Sequence, residues 1–128
     1  MACFLIDYEN ESGRALEGIS LLGLTMWDEI VFFYSRHAAR ITMELHKELE
    51  RIQARKQYIS IETGTPNALD FQLSSYLGAR IQKDPGDTYY IVSQDGGYDC
   101  VCRFWSNQKI RVKRIERFFY DAGGTVRV

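Results

Sequence analysis

The stretch Cys3-Phe4-Leu5-Ile6-Asp7 decides the fold: four apolar residues, then a carboxylate. A short apolar run without polar alternation reads as a strand buried on both faces, the kind found in parallel sheets. Ile30-Val31-Phe32-Phe33-Tyr34 and Tyr89-Tyr90-Ile91-Val92 repeat the pattern, and Tyr58-Ile59-Ser60-Ile61 is a shorter version. All are rich in the β-branched and aromatic residues that pleated sheets favour. Lys109-Ile110-Arg111-Val112-Lys113 alternates strictly, as an edge strand with one wet face does.

Helical periods fill the gaps. Leu16, Ile19 and Leu22, followed by Gly23-Leu24, predict a first helix stopped by glycine. Ile41, Leu45, Leu49 and Ile52 line one face of a second helix opened by Thr42, with Glu44, Lys47, Glu48 and Arg51 elsewhere on the wheel. Asn67 is placed as the N-cap of a third, whose stripe is Leu69, Leu73, Tyr76 and Leu77 and whose closing turn is Gly78. Tyr98 to Trp105 predicts a short helix after Gly96-Gly97, and Ile115 to Tyr120 a closing helix or arm. Five strands separated by helices predict an α/β fold, three-layer α/β/α with a mostly parallel five-stranded sheet. Right-handed crossovers then bring every strand to a common carboxyl edge, where ligands of open α/β sheets bind.

Composition is consistent with one packed domain. The chain has 128 residues, 45% hydrophobic and 26% charged, with 13% aromatic, which argues against disorder. A single domain over residues 1–120 is expected, with a weakly ordered tail over 121–128. The net charge of −1 means that a polyanion must be met by a local basic patch. Cys3, Cys100 and Cys102 are too few for a secreted disulfide framework and read as reduced thiols. The first residues meet a charge too early for a signal peptide, and no apolar run approaches a membrane span. A soluble, cytoplasmic protein is expected.

The predicted topology gathers four carboxylates. Asp7 follows the first strand, Asp70 lies in the first turn of the helix after the third, Asp95 follows the fourth, and Asp99 lies one helical turn on. Singly, each has a structural explanation as a cap, a dipole partner or a solvated charge. Together they conflict, because two carboxylates ~4 Å apart repel by about 4 kcal/mol at an effective dielectric of about 20. A cation resolves the conflict, and hard oxygen ligands of this kind suit Mg²⁺ or Mn²⁺. Glu9 and Asn10 are placed to orient Asp7 or hold a water, and Ser93 to donate to a carboxylate. Arg36 reads equally as a phosphate contact or a surface arginine.

Three pieces, Phe4-Leu5-Ile6-Asp7-Tyr8-Glu9-Asn10, Asn67-Ala68-Leu69-Asp70-Phe71-Gln72-Leu73 and Val92-Ser93-Gln94-Asp95-Gly96-Gly97-Tyr98-Asp99, occur in this order. As an ordered set over about residues 4 to 113, they make the chain resemble the PIN-like nuclease superfamily, which includes the NYN ribonucleases. The resemblance implies a metal-dependent endonuclease acting on single-stranded RNA, with Asp7, Asp70, Asp95 and Asp99 as catalytic metal ligands. It further implies a metal-activated water attacking phosphorus in line and leaving a 5′-phosphate and a 3′-hydroxyl. Asn10 is similar to the Asn that follows the first Asp in NYN-type members. The Gly96-Gly97 pair departs from the pattern and is expected to loosen the loop that carries Asp95.

Substrate contacts are sought between Arg103 and Arg117, where six basic residues face one acid. Arg103, Lys109, Arg111 and Lys113 are the proposed backbone contacts, with Tyr98 and Trp105 available to stack on bases. A charged edge strand protected from aggregation accounts for the same residues equally well. The alternatives to a ribonuclease are a catalytically silent PIN-like module binding RNA or a regulatory protein partner, and a metal-dependent DNA nuclease. Ile115 to Tyr120 supplies an apolar surface for a homodimer.

Overall fold

The computed structural model describes residues 1–8, 14–120 and 126–127. Five parallel strands form one sheet: β1 (Ala2–Tyr8), β2 (Glu29–Tyr34), β3 (Arg55–Ser60), β4 (Thr88–Val92) and β5 (Arg111–Ile115), in the order β3-β2-β1-β4-β5. The helices are α1 (Met43–Glu50), α2 (Ala68–Lys83) and α3 (Tyr98–Asn107). Side-chain alternation divides the core into two layers. Phe4, Ile6, Ile30 and Phe32 pack against Leu45, Leu49 and Ile52 on the α1 side. Cys3, Leu5, Val31 and Phe33 pack against Leu69, Leu73, Leu77 and Tyr98 on the side of α2 and α3. This is the expected α/β/α sandwich, with a wholly parallel sheet.

The strand order reverses at β1. The chain moves outward from β1 to β2 and β3 on one side, then returns to place β4 on the other. The crevice outside the carboxyl ends of β1 and β4 is therefore the topological switch point, where open α/β sheets bind ligands. Asp7 and Ser93 stand on its two sides.

Several local expectations are corrected. Leu16, Ile19 and Leu22 lie in two short 3-10 turns, Arg14–Leu16 and Ile19–Leu22, because Gly18 between them adopts a left-handed φ of 84°. Gly78 does not end its helix; α2 continues to Lys83, with Gly78 beside the Trp105 ring. Asn67 holds the N-cap position at φ 62° without a side-chain capping bond, whereas Thr42 Oγ1 accepts the Leu45 N–H at 3.1 Å as a cap should. Ile41 is exposed outside α1. The last sheet strand runs two residues later than expected and ends at Ile115. Beyond it a short strand β6 (Phe119–Tyr120), and no closing helix, pairs antiparallel with β7 (Val126–Arg127). Of the tail expected to be weakly ordered, residues 121–125 and 128 lie outside the described residues.

Candidate active site

Cys3 and Leu5 face the α2–α3 side of β1, and Asp7 continues that face at the strand's end. Its Oδ2 accepts a hydrogen bond from Ser93 Oγ at 2.8 Å. The same oxygen of Ser93 accepts the Asp95 N–H at 3.0 Å. One buried hydroxyl thus ties the ends of β1 and β4 together across the switch point and sets the start of the turn that carries Asp95.

Asp95 is exposed, and its Oδ1 accepts the Gly97 N–H at 2.8 Å. A Cβ on Gly97 would stand 3.0 Å from that oxygen. The absence of a Cβ at Gly97 leaves room for this carboxylate to fold back onto the backbone. Asp70, in the first turn of α2, accepts from the Tyr98 hydroxyl at 3.2 Å. Tyr98 is 2% exposed. Its phenol is pushed far above its ordinary pKa, first by burial, then by the charges of Asp7 and Asp70, the bond to Asp70 and the charge of Asp95. Three aspartates from three different segments thus act on one hydroxyl.

Asp99 lies at the same edge with a different partner. Arg114 on β5 holds it through Nε–Oδ1 at 2.7 Å and Nη2–Oδ2 at 3.4 Å. The bond from Arg114 keeps the Asp99 carboxyl below the usual carboxylate range. Arg114 Nη1 also donates to Ser93 O at 3.1 Å and to Glu116 at 3.3 Å. Sequence reasoning counted Arg114 only within a basic run. Its signal was positional, since it falls on the opposite face of the edge strand from Arg111 and Lys113.

The basic residues do not form one patch. Arg36 is exposed just beyond β2, at the carboxyl edge. Arg103 is exposed on α3 and Lys113 on β5. Arg111 pairs in register with Thr88, itself level with Ala2, and donates to Gly86 O. At about 3.3 Å per residue this lies ~16 Å below the level of Asp7 along the strand direction and two strands to the side, at the sheet's amino edge, with Lys109 just before it. Tyr98 is too buried to stack on a base, and Trp105 is half-buried, edge-on to Phe104. Glu9 and Asn10 lie outside the described residues.

A parallel α/β sheet with carboxylates gathered at its switch point defines the general class. The family model for the PIN domain matches residues 1–115, and the chain belongs to that family. PIN domains have a nuclease-type fold and are generally metal-dependent nucleases, typically acting on RNA. The curated proteins and the solved structures give no match to the chain.

Members of this family usually use Mg²⁺ or Mn²⁺. Among the described residues, no three His, Cys, Asp or Glu side chains close on a point that an ion would occupy. Mg²⁺ makes a smaller demand, since one or two carboxylates suffice when waters and phosphate oxygens complete its shell. Asp7 and Asp95, linked through Ser93, are hard oxygen donors of that kind, and the donor chemistry fits the ion.

Proposed function

We propose that this PIN domain is a metal-dependent endoribonuclease that cleaves single-stranded RNA at the carboxyl edge of β1 and β4. The observation that carries this reading is the Asp7–Ser93–Asp95 bridge across the switch point, with Asp70 drawn to the same place by Tyr98. Asp7 and Asp95 would hold the ion, with Asp70 beside them and Asp99 at the rim. When bound, the ion supplies a water of lowered pKa and a positive clamp for the scissile phosphate. Ser93 fixes the orientation of Asp7, and Tyr98 keeps Asp70 turned inward. Arg36, exposed just beyond β2, and Arg103, whose charge acts on Asp99, are the cations of the proposed substrate contacts offered to this edge.

The test is cleavage of a labelled single-stranded RNA with Mg²⁺ or Mn²⁺, run beside single-stranded and flap DNA. The wild-type protein is expected to cut RNA, and Asp7→Asn and Asp95→Asn proteins to remain folded and inactive. Undiminished cleavage by the Asp7→Asn protein would overturn the site, and preferential cleavage of DNA would overturn the substrate.

Two observations favour a second reading, a silent module that binds RNA or a protein partner. Asp99 is already neutralised by Arg114, and three-carboxylate convergence is absent among the described residues. Calorimetric titration with Mn²⁺ separates the two: heat of binding at millimolar ion or below supports the nuclease, and its absence supports the silent module.

A further inference from the structure

On the other face of the sheet, beside the end of β1, lies a cavity of about 250 Å³. Tyr8, Phe32, Tyr34 and Tyr58 form its aromatic walls, and Arg40 is the charged side chain among the described lining residues. The strand register explains the grouping. Tyr8 pairs with Tyr34 and Phe32 with Tyr58, so four rings from three adjacent strands fall on one face. Phe32 and Tyr58 are stacked at 5.2 Å with 14° between planes, and Tyr8 meets Phe32 edge-on at 5.9 Å. The Tyr8 hydroxyl donates to Arg40 O, pinning the 38–41 segment over the slot. Tyr58 remains 53% exposed at its mouth. The rings are pre-arranged, and among the described lining residues Arg40 is charged and none is a carboxylate, the Glu50 charge acting on Tyr58 from outside the lining.

A flat aromatic ligand attached to an anion matches these features. Tyr8 directly follows Asp7 in the chain, and successive residues of a strand project to opposite faces. A strand of nucleic acid passing over the end of β1 with a phosphate at Asp7 therefore brings a neighbouring base to the Tyr8 side. We infer that this aromatic slot is a base-binding subsite for single-stranded RNA, Tyr58 stacking on the base and Arg40 meeting the adjoining phosphate. The inference rests on the nuclease reading for its substrate.

Equilibrium binding without divalent metal tests it separately from cleavage. A labelled single-stranded RNA and a strand of the same length lacking its bases are titrated against the whole chain by fluorescence anisotropy, at one salt concentration. The base-bearing strand is expected to bind about tenfold tighter, the size of one base–aromatic stack. Tyr58→Ala is expected to remove that difference and Tyr58→Phe to keep it. Arg40→Ala is expected to weaken both strands alike. Equal affinities in the wild-type protein, binding of neither strand, or an undiminished difference in Tyr58→Ala overturns the subsite. A free mononucleotide that displaces the oligonucleotide at equal concentration overturns its assignment to a strand. Base-dependent binding without cleavage in Mg²⁺ leaves the subsite standing and removes the nuclease.

Discussion

Arg114 grips Asp99 with two nitrogens, at 2.7 and 3.4 Å, while its third reaches back to the carbonyl of Ser93. The carboxylate that sequence order assigns to the metal is thus balanced by the protein's own cation. Among the described ion pairs, Asp99 differs from the other three in having a neighbouring cation, Arg114, balance its charge. Asp99→Asn is expected to reduce metal-dependent cleavage by about tenfold, the low end of the range for loss of a supporting group. Asp7→Asn, which would remove a proposed direct ion contact, is expected to cost more, beyond the roughly 100-fold upper end for supporting groups. Cleavage rates of the two variants at saturating Mn²⁺ check the ranking, and equal losses would contradict it.

Ser93 carries more than its size suggests. Its hydroxyl donates to Asp7 and accepts from the Asp95 backbone, so Ser93→Ala breaks both bonds together. Stability is expected to fall by about 1 kcal/mol per lost bond. Ion affinity or cleavage is expected to fall by about 10- to 100-fold, the range for groups that orient metal-binding carboxylates. Ser93→Thr, which retains the hydroxyl, is expected to recover most of the activity. Urea denaturation and Mn²⁺ titration of the two variants together distinguish loss of orientation from loss of fold.

The sheet was legible because buried parallel strands leave apolar runs with few alternatives, and Cys3 to Ile6, Ile30 to Tyr34 and Tyr89 to Val92 all became strands. Thr42 was legible because its capping bond is local. The failures came where tertiary packing outweighed a local signal. Gly78 reads as a helix stop but lies inside α2, where a Cβ would make ordinary contact with the Trp105 ring at 3.7 Å. Tyr98 looks like an exposed stacking residue, yet α3 turns it into the core. At the site, position along the chain placed Asp7, Asp70 and Asp95 together. Only the facing edge strand could reveal that Asp99 belongs to Arg114.

Gly97 offers a way to move Asp95 without altering its charge. Its φ of −59° and ψ of −27° suit alanine, so the backbone does not resist Gly97→Ala. The added methyl meets Asp95 Oδ1 at 3.0 Å, and the carboxylate must shift by a few tenths of an ångström from its bond to the Gly97 N–H. The variant is expected to keep its melting temperature within a few degrees, since about 1 kcal/mol moves a domain between the 60–100- and 150–250-residue classes by only about 4 °C. Cleavage and Mn²⁺ affinity are expected to fall. Full activity in a normally folded Gly97→Ala protein would show that the observed Asp95 pose is immaterial.

At the amino end of the sheet, burial makes the fold sensitive to alkali. Cys3 is 1% exposed, and burial pushes its thiol from 9.0 up to about 12, with the Arg80 and Arg55 charges opposing this and those of Glu29 and Asp87 adding to it. Burial likewise raises the Tyr89 phenol from 10.0 to about 12. An unfolded chain releases these protons at the lower values, so above pH 9 the folded state binds more protons than the unfolded one. Stability is therefore complete below about pH 9 and declines as pH rises toward 12, by up to about 1.4 kcal/mol per pH unit for each proton held back. Cys3→Ala is expected to flatten the decline between pH 9 and 10, where Tyr89 contributes least, whatever its effect on stability at neutral pH. Urea midpoints at pH 8, 9 and 10 measure that slope, and the same slope in the wild type and the variant would remove Cys3 as its cause.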